Sequence, residues 1–200
     1  MSQPSTRSKD SAAPEEKRLK IAGLCGVAAP IVALLCVFAA ISLSPWFSWS
    51  ANALSDLGVG AAGLVFNLGL MAGGALTMVF AIGMFTPFMD STRRWGAVIF
   101  FLGALSLLCI GVFPESAGRI HFYVSVGFFV MMPISLLLIG AGYVLAGSRK
   151  FGALTVALGV LAALPWVFGW SAVAVPEMLS AIAATAWSAI QGVKFFLGRP

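Results

Sequence analysis

Long apolar runs, broken at intervals by small groups of charges, set the rhythm of this chain. No Asp, Glu, Lys or Arg falls between Lys20 and Asp56, Asp56 and Asp90, Arg94 and Glu115, Arg119 and Arg149, or Lys150 and Glu177. Each interval reaches the roughly 20 residues that an α-helix needs to cross a hydrocarbon core about 30 Å thick. A shorter run follows Glu177 and ends at Lys194. Starting a helix near Ala174 restores its length, with Glu177 one turn inside one end and the Lys194 stem reaching toward the opposite interface. The expected spans are 21–41, 63–85, 95–113, 120–145, 152–171 and 174–195.

Composition agrees with this pattern. The chain has 200 residues, 60% of them hydrophobic and 10% charged, with a mean hydropathy of +1.00. One soluble domain of this size has no interior large enough to hide so much apolar material. The basic residues then fix a direction. With six spans, every Lys and Arg except Arg119 falls on one side: the N-terminal group through Lys20, the Arg93–Arg94 pair, the Arg149–Lys150 pair, and Lys194 with Arg199. The positive-inside tendency makes that side cytoplasmic. The opposite side carries Asp56, Glu115, Arg119 and Glu177, and is net negative. Five or seven spans would break the segregation.

The expected architecture is therefore all-α, a compact bundle of six transmembrane helices in the cell membrane with both termini cytoplasmic. Residues 1–19 read as a disordered cytoplasmic tail, because the first 16 are rich in Ser, Pro, Ala and charge without apolar periodicity. Residues 20–196 form the transmembrane domain and 197–200 a short cytoplasmic end. The run Ile21 to Ile41 exceeds the usual length of a signal-peptide core, and its removal would spoil the charge balance, so it reads as a retained span. Gly69, Gly73, Gly74 and Gly140 to Gly142 place small residues where helices approach closely in lipid. Pro133 and Pro165 fall inside spans four and five, where a missing amide hydrogen bends a helix. Pro176 suits the first turn of helix six. Trp46, Trp49 and Trp170 gather at one interface and Trp95, Tyr143, Phe195 and Phe196 near the other, as membrane anchors do.

Several chemistries find no support in the sequence. Cys25, Cys36 and Cys109 lie in apolar spans, and the first two are roughly 16 Å apart along one helix, beyond disulfide reach. One histidine and no cysteine cluster leave no zinc constellation and no paired haem ligands, and no dinucleotide or phosphate loop occurs, so no metal or cofactor is expected. The pI of about 9.5 reflects helix-end charges that set orientation rather than a nucleic-acid groove. Membrane lipids are the expected partners, with a second copy or another membrane protein as further candidates.

The polar residues on the acidic side form the candidate site. The long loop holds Asn52, Ser55 and Asp56: Asn52 or Ser55 suits the cap of a short surface helix, Asp56 its first-turn amides, and Gly58 its end. Asn67, a turn into span two, extends the patch. Glu115 and Arg119 have the i,i+4 spacing of a helical ion pair, with Gly118 between them. His121 opens span four and is positioned to bond Asp56 or Glu177, the arrangement of a poised proton acceptor. Glu177 below the interface calls for a partner, a proton, a polar cavity or the positive end of helix six.

The run Phe47-Ser48-Trp49-Ser50-Ala51-Asn52-Ala53-Leu54-Ser55-Asp56-Leu57-Gly58, with Phe66-Asn67-Leu68-Gly69, resembles the six-span prokaryotic membrane family catalogued as domain of unknown function 998. Phe113-Pro114-Glu115 and His121 look like its second segment, and the resemblance covers roughly residues 20–196. It implies the fold, a membrane location and prominence for Asn52, Ser55, Asp56, Asn67, Glu115 and His121, and it brings no activity. The leading expectation is an integral membrane protein that binds a lipid, small ligand or partner through the outward polar cluster, with Arg119 the contact for an anionic group. The alternatives are a lipid-modifying enzyme at the outer interface and a small transporter.

Overall fold

The computed structural model describes residues 7–199, and those residues form helices and turns without a strand. The six helices are α1 (Arg7–Ser42), α2 (Gly63–Met84), α3 (Ser91–Val112), α4 (Arg119–Leu145), α5 (Arg149–Ala163) and α6 (Ala174–Phe196). Short 3-10 turns at Leu54–Gly58, Glu115–Ala117 and Leu164–Val167 all lie at one end of the bundle. Each helix packs on the next in sequence, and α6 returns to α1, so the six close into an up-and-down ring. Charge is sorted by this ring. The end with the 3-10 turns holds Asp56, Glu115, Arg119 and Glu177, and the other holds Arg93, Arg94, Arg149, Lys150 and Lys194.

Five helical stretches are long and apolar enough to cross a membrane: Pro14–Ser42, Gly63–Met84, Ser91–Val112, Arg119–Leu145 and Arg149–Val167. α6 has the length but a more polar composition. Its inner face buries Glu177, Ser180, Ser188 and Gln191 beside Trp187 and Phe195. Much of the ring's outer surface is aliphatic: Leu24, Leu35, Leu64 and Ile82 are 59%, 65%, 73% and 58% exposed. Soluble monomers rarely show contiguous apolar patches of more than a few hundred Å².

Two boundaries differ from the sequence expectation. Helix α1 already runs through residues 7–19, assigned to a disordered tail, while residues 1–6 lie outside the described residues. Ala, Glu, Lys and Arg in this stretch are strong helix formers, continuous with the apolar run, and Glu16 pairs with Lys20 one turn on at 2.6 Å. At the other boundary, α5 leaves α-geometry at Ala163 instead of continuing to residue 171. Pro165 lacks the amide hydrogen that an α-turn requires, and the chain tightens into the Leu164–Val167 turn. Pro133 does not break α4, which runs unbroken past it.

The ring closes where α1 meets α6. A Cβ at Gly192 would lie 2.7 Å from the Gly23 carbonyl oxygen, so only glycine permits this approach. Ser188 Oγ donates to the Gly26 carbonyl at 2.9 Å and ties the same seam. At the basic end the interior is aromatic. Trp187, Phe80 and Phe100 sit within 6.1 Å of one another by ring centroids, and Phe195 and Phe88 continue the stack. Trp187 donates its indole hydrogen to Thr155 Oγ1 at 3.1 Å, and Tyr143 its hydroxyl to Gln191 Oε1 at 2.9 Å.

Candidate functional site

The 42–62 connection folds back over the acidic end of the ring because its polar side chains bind its own backbone. Asn52 Oδ1 accepts from the Ser48 amide at 2.9 Å, and Asn52 Nδ2 donates to Asp56 Oδ2 at 2.8 Å. Asp56 Oδ2 also accepts from the Ala53 amide at 3.0 Å. Neither Asn52 nor Ser55 caps the Leu54–Gly58 turn. Ala53 occupies that position, and Asp56 reaches back to the cap amide. Gly58 ends the turn, as expected, without a left-handed backbone. Its lack of a side chain admits Asn67, whose Oδ1 would lie 2.7 Å from a Cβ there, and Asn67 Nδ2 donates to the Gly58 carbonyl at 2.9 Å.

Glu177 locks this connection onto α6. The residue is 8% exposed, and its Oε2 accepts from the Leu54 amide at 2.7 Å. The Asn52 carbonyl accepts from the Ala174 amide at 3.1 Å, so the loop and the start of α6 hold each other from both sides. The sequence offers helix dipole, pairing or a polar cavity for Glu177. The structure gives it a backbone donor on one oxygen and leaves the carboxyl lining cavity space.

His121 sits in the first turn of α4, 7% exposed, and bonds to neither Asp56 nor Glu177. Its Nδ1 is 2.8 Å from the Phe113 carbonyl oxygen and its Nε2 is 3.3 Å from Ser125 Oγ. A carbonyl only accepts, so in the neutral ring Nδ1 carries the proton and Nε2 accepts from the Ser125 hydroxyl. Ser125 is the residue that sequence reading missed. Its i,i+4 spacing from His121 along α4 is the signal that would have found it.

The Glu115–Arg119 ion pair does not form. Gly118 adopts φ 64° and separates the Glu115–Ala117 turn from α4, so the two side chains never share one helical face. Among the described residues the ion pairs are Lys20–Glu16 and Arg93–Asp90, and Arg119 lies exposed. Glu115 instead faces Asp56 across the two short turns. Desolvation, then the neighbouring Asp56, push the Glu115 carboxyl up to about 7. Partial burial works against ionisation of Asp56 as well, but hydrogen bonds from Glu115, Asn52 and the Ala53 amide hold it below its ordinary value. The two shifts are opposite in sign, so the last proton the pair gives up is the one on Glu115.

These groups stand at the mouth of a cleft. A space of about 780 Å³ runs along α4 from Glu115 and Gly118 past His121, Ser125 and Pro133 to Leu137, with Trp166 and Glu177 on the facing wall. Its length from His121 to Leu137 is on the order of 24 Å at 1.5 Å per residue. Many of its lining residues are also on the outer surface: Val126 is 43% exposed, Val130 48% and Ile134 42%. The cleft therefore opens through the side of the bundle. It exists because Pro165 ends α5 early, leaving a wedge between α4 and α6. Trp166 is fixed at its edge by donating to Ser180 Oγ at 2.8 Å.

A second, smaller space of about 90 Å³ continues toward the middle of the bundle, among Leu34, Phe66, Leu70 and Ile110. Ser55, Ser125, Phe129 and Glu177 line both spaces and form a waist between them. Of the residues singled out from sequence, Ser55, Glu115, His121 and Glu177 line the cleft, and Asn52, Asp56 and Asn67 brace the loop behind it. Arg119 takes no part. Among the described residues no group of His, Cys, Asp and Glu has the arrangement of a metal site.

No curated protein and no solved structure matches the chain. A family model covers most of its length, residues 27–194, including the loop, the waist and parts or all of the six helices. The chain belongs to that family, described as protein of unknown function DUF998.

Proposed function

We propose that this protein spans the cell membrane six times, with both termini in the cytoplasm, and binds a membrane amphiphile in the cleft at its outward, acidic end. The apolar chain lies along α4 and the polar head sits at the waist of Ser55, Ser125 and Glu177. The observation that carries this reading is the combination of a side-opening apolar cleft with a buried carboxyl at its acidic end. Lipid binding needs lateral entry, hydrocarbon depth and a polar group at one end. One leaflet contributes about 15 Å of hydrocarbon, which the cleft accommodates with room for a head. Segregation of the basic residues to the opposite end supports the orientation.

Native mass spectrometry of protein released from lipid nanodiscs tests the proposal. The expected result is a retained amphiphile of defined mass, lost when Val130→Trp fills the cleft. Retention unchanged by that substitution sinks the reading.

One observation favours a second reading, lipid modification. Ser125 Oγ, His121 Nε2 and the Phe113 carbonyl are arranged as nucleophile, base and orienter. A fluorophosphonate probe that labels wild type but not Ser125→Ala would support it; absence of labelling under conditions that label a control serine hydrolase would remove it.

A further inference from the structure

The proposed cleft site leaves open which head group it takes, and counting donors and acceptors at the waist narrows the answer. In the neutral ring, His121 gives its Nδ1 proton to Phe113, and the Ser125 hydroxyl gives its proton to His121. The Ser55 hydroxyl lines the waist, and Glu115 lines the cleft beside it. Glu177 receives one backbone hydrogen on Oε2, and among the described residues Oε1 has no protein partner. Glu177 is 8% exposed and lines both cavity spaces, so a ligand in the cleft is the partner open to its remaining oxygen. The waist thus offers Glu177 Oε1, the lone pairs of a Ser125 hydroxyl whose hydrogen is already committed, and the Ser55 hydroxyl. It offers no cation, since Arg119 lies outside the cleft.

Resting on the cleft reading, we infer that the bound amphiphile carries a protonated primary amine, placed on Glu177 Oε1 with Ser125 and Ser55 Oγ as its other acceptors. An ammonium has three N–H donors and no acceptor, which complements a waist made of acceptors. A sulfate or phosphate head would meet carboxyls and oxygen lone pairs with no cation to receive it, and both desolvation and like charge oppose it. A quaternary ammonium has the charge without the hydrogens.

The test uses the full chain in neutral detergent and three probes with one bromododecyl chain and different heads: primary ammonium, trimethylammonium and sulfate. Bromine on the chain quenches Trp166, and Trp166→Phe supplies the background from the other tryptophans. The expected result is saturable quenching with primary ammonium binding most tightly, trimethylammonium weaker and sulfate weakest. Glu177→Gln, which keeps an acceptor for the Leu54 amide, should weaken the primary ammonium by about tenfold, the usual scale for a charge-assisted hydrogen bond. Glu115→Gln provides a variant at an exposed position with little risk to folding, and a smaller loss in the same direction is expected. Equal quenching by all three heads would overturn the inference and leave the cleft reading intact. Absence of Trp166 quenching by any probe would overturn the cleft reading itself.

Discussion

The two ends of the bundle treat their polar groups in opposite ways. At the basic end Arg93 and Lys194 are committed to the protein. Arg93 pairs with Asp90 and lies 5.2 Å and 5.0 Å from the ring centres of Phe88 and Tyr143. Lys194 stands over Phe151 at 3.6 Å and over Tyr143 at 4.9 Å. Aromatic faces stabilise both cations and fill the space between helices, so charge there serves packing. At the acidic end Glu177 anchors a backbone amide with one carboxyl oxygen and lines open space besides. The difference teaches that a charge count locates two polar regions but not their roles; local packing decides which has capacity left for a ligand.

The largest expected effect comes from breaking the packed end. Trp187→Ala removes a fully buried side chain from the aromatic stack and should cost about 3–5 kcal/mol, read as a large fall in the thermal midpoint in detergent. Val130→Ala, on the cleft wall, should change stability by less than about 0.5 kcal/mol. Comparable losses at the two positions would erase the distinction between packed and open ends.

Next in size is the seam that holds both ends together. Gly192→Leu drives a side chain into the α1 backbone and should cost about 1–3 kcal/mol or more from overpacking. The same midpoint measurement checks it, and Gly192→Ala should show a smaller loss of the same sign. Glu177→Ala then isolates the acidic end. It orphans the Leu54 amide at a cost of about 1–3 kcal/mol, and Glu177→Gln should recover most of the loss by restoring an acceptor. Faster proteolysis within the 42–62 loop of the alanine variant is the accompanying sign.

The smallest effect is a pH dependence confined to the acidic end. The Glu115 carboxyl is raised from 4.5 to about 7 in the folded protein, facing Asp56 from the long loop, with Glu177 of α6 and His121 of α4 nearby. A raised acid means the folded state binds the proton more tightly than the unfolded state. Its contribution is therefore fully present below pH 4.5 and lost as pH rises through about 7. Asp56 works the other way, with its contribution lost only in acid, as pH falls through its depressed value. Midpoints measured from pH 5 to 8 should fall modestly in wild type and less in Glu115→Gln; identical slopes would show that the pair does not share a proton.

The helices were legible because apolar run length and charge spacing act within one segment. Their boundaries slipped where a single residue changed the geometry, as Pro165 did for α5. The candidate site was legible by residue type but not by partner. Glu115 and Arg119 have ideal spacing, yet one positive φ at Gly118 separates them. His121 was read as facing carboxylates, yet it faces a carbonyl and Ser125. The cleft itself had no signature in sequence, because it is the gap between α4, a shortened α5 and α6. Periodicity describes what one helix buries and not where three helices fail to meet.

The decisive measurement is a structure determined in lipid nanodiscs. The expected result is continuous density for an apolar chain along α4 from Ser125 and Glu177 to Leu137, with its polar head against Glu177. A cleft closed by Trp166 and Phe129 collapsing onto α4, with no chain between them, would contradict it.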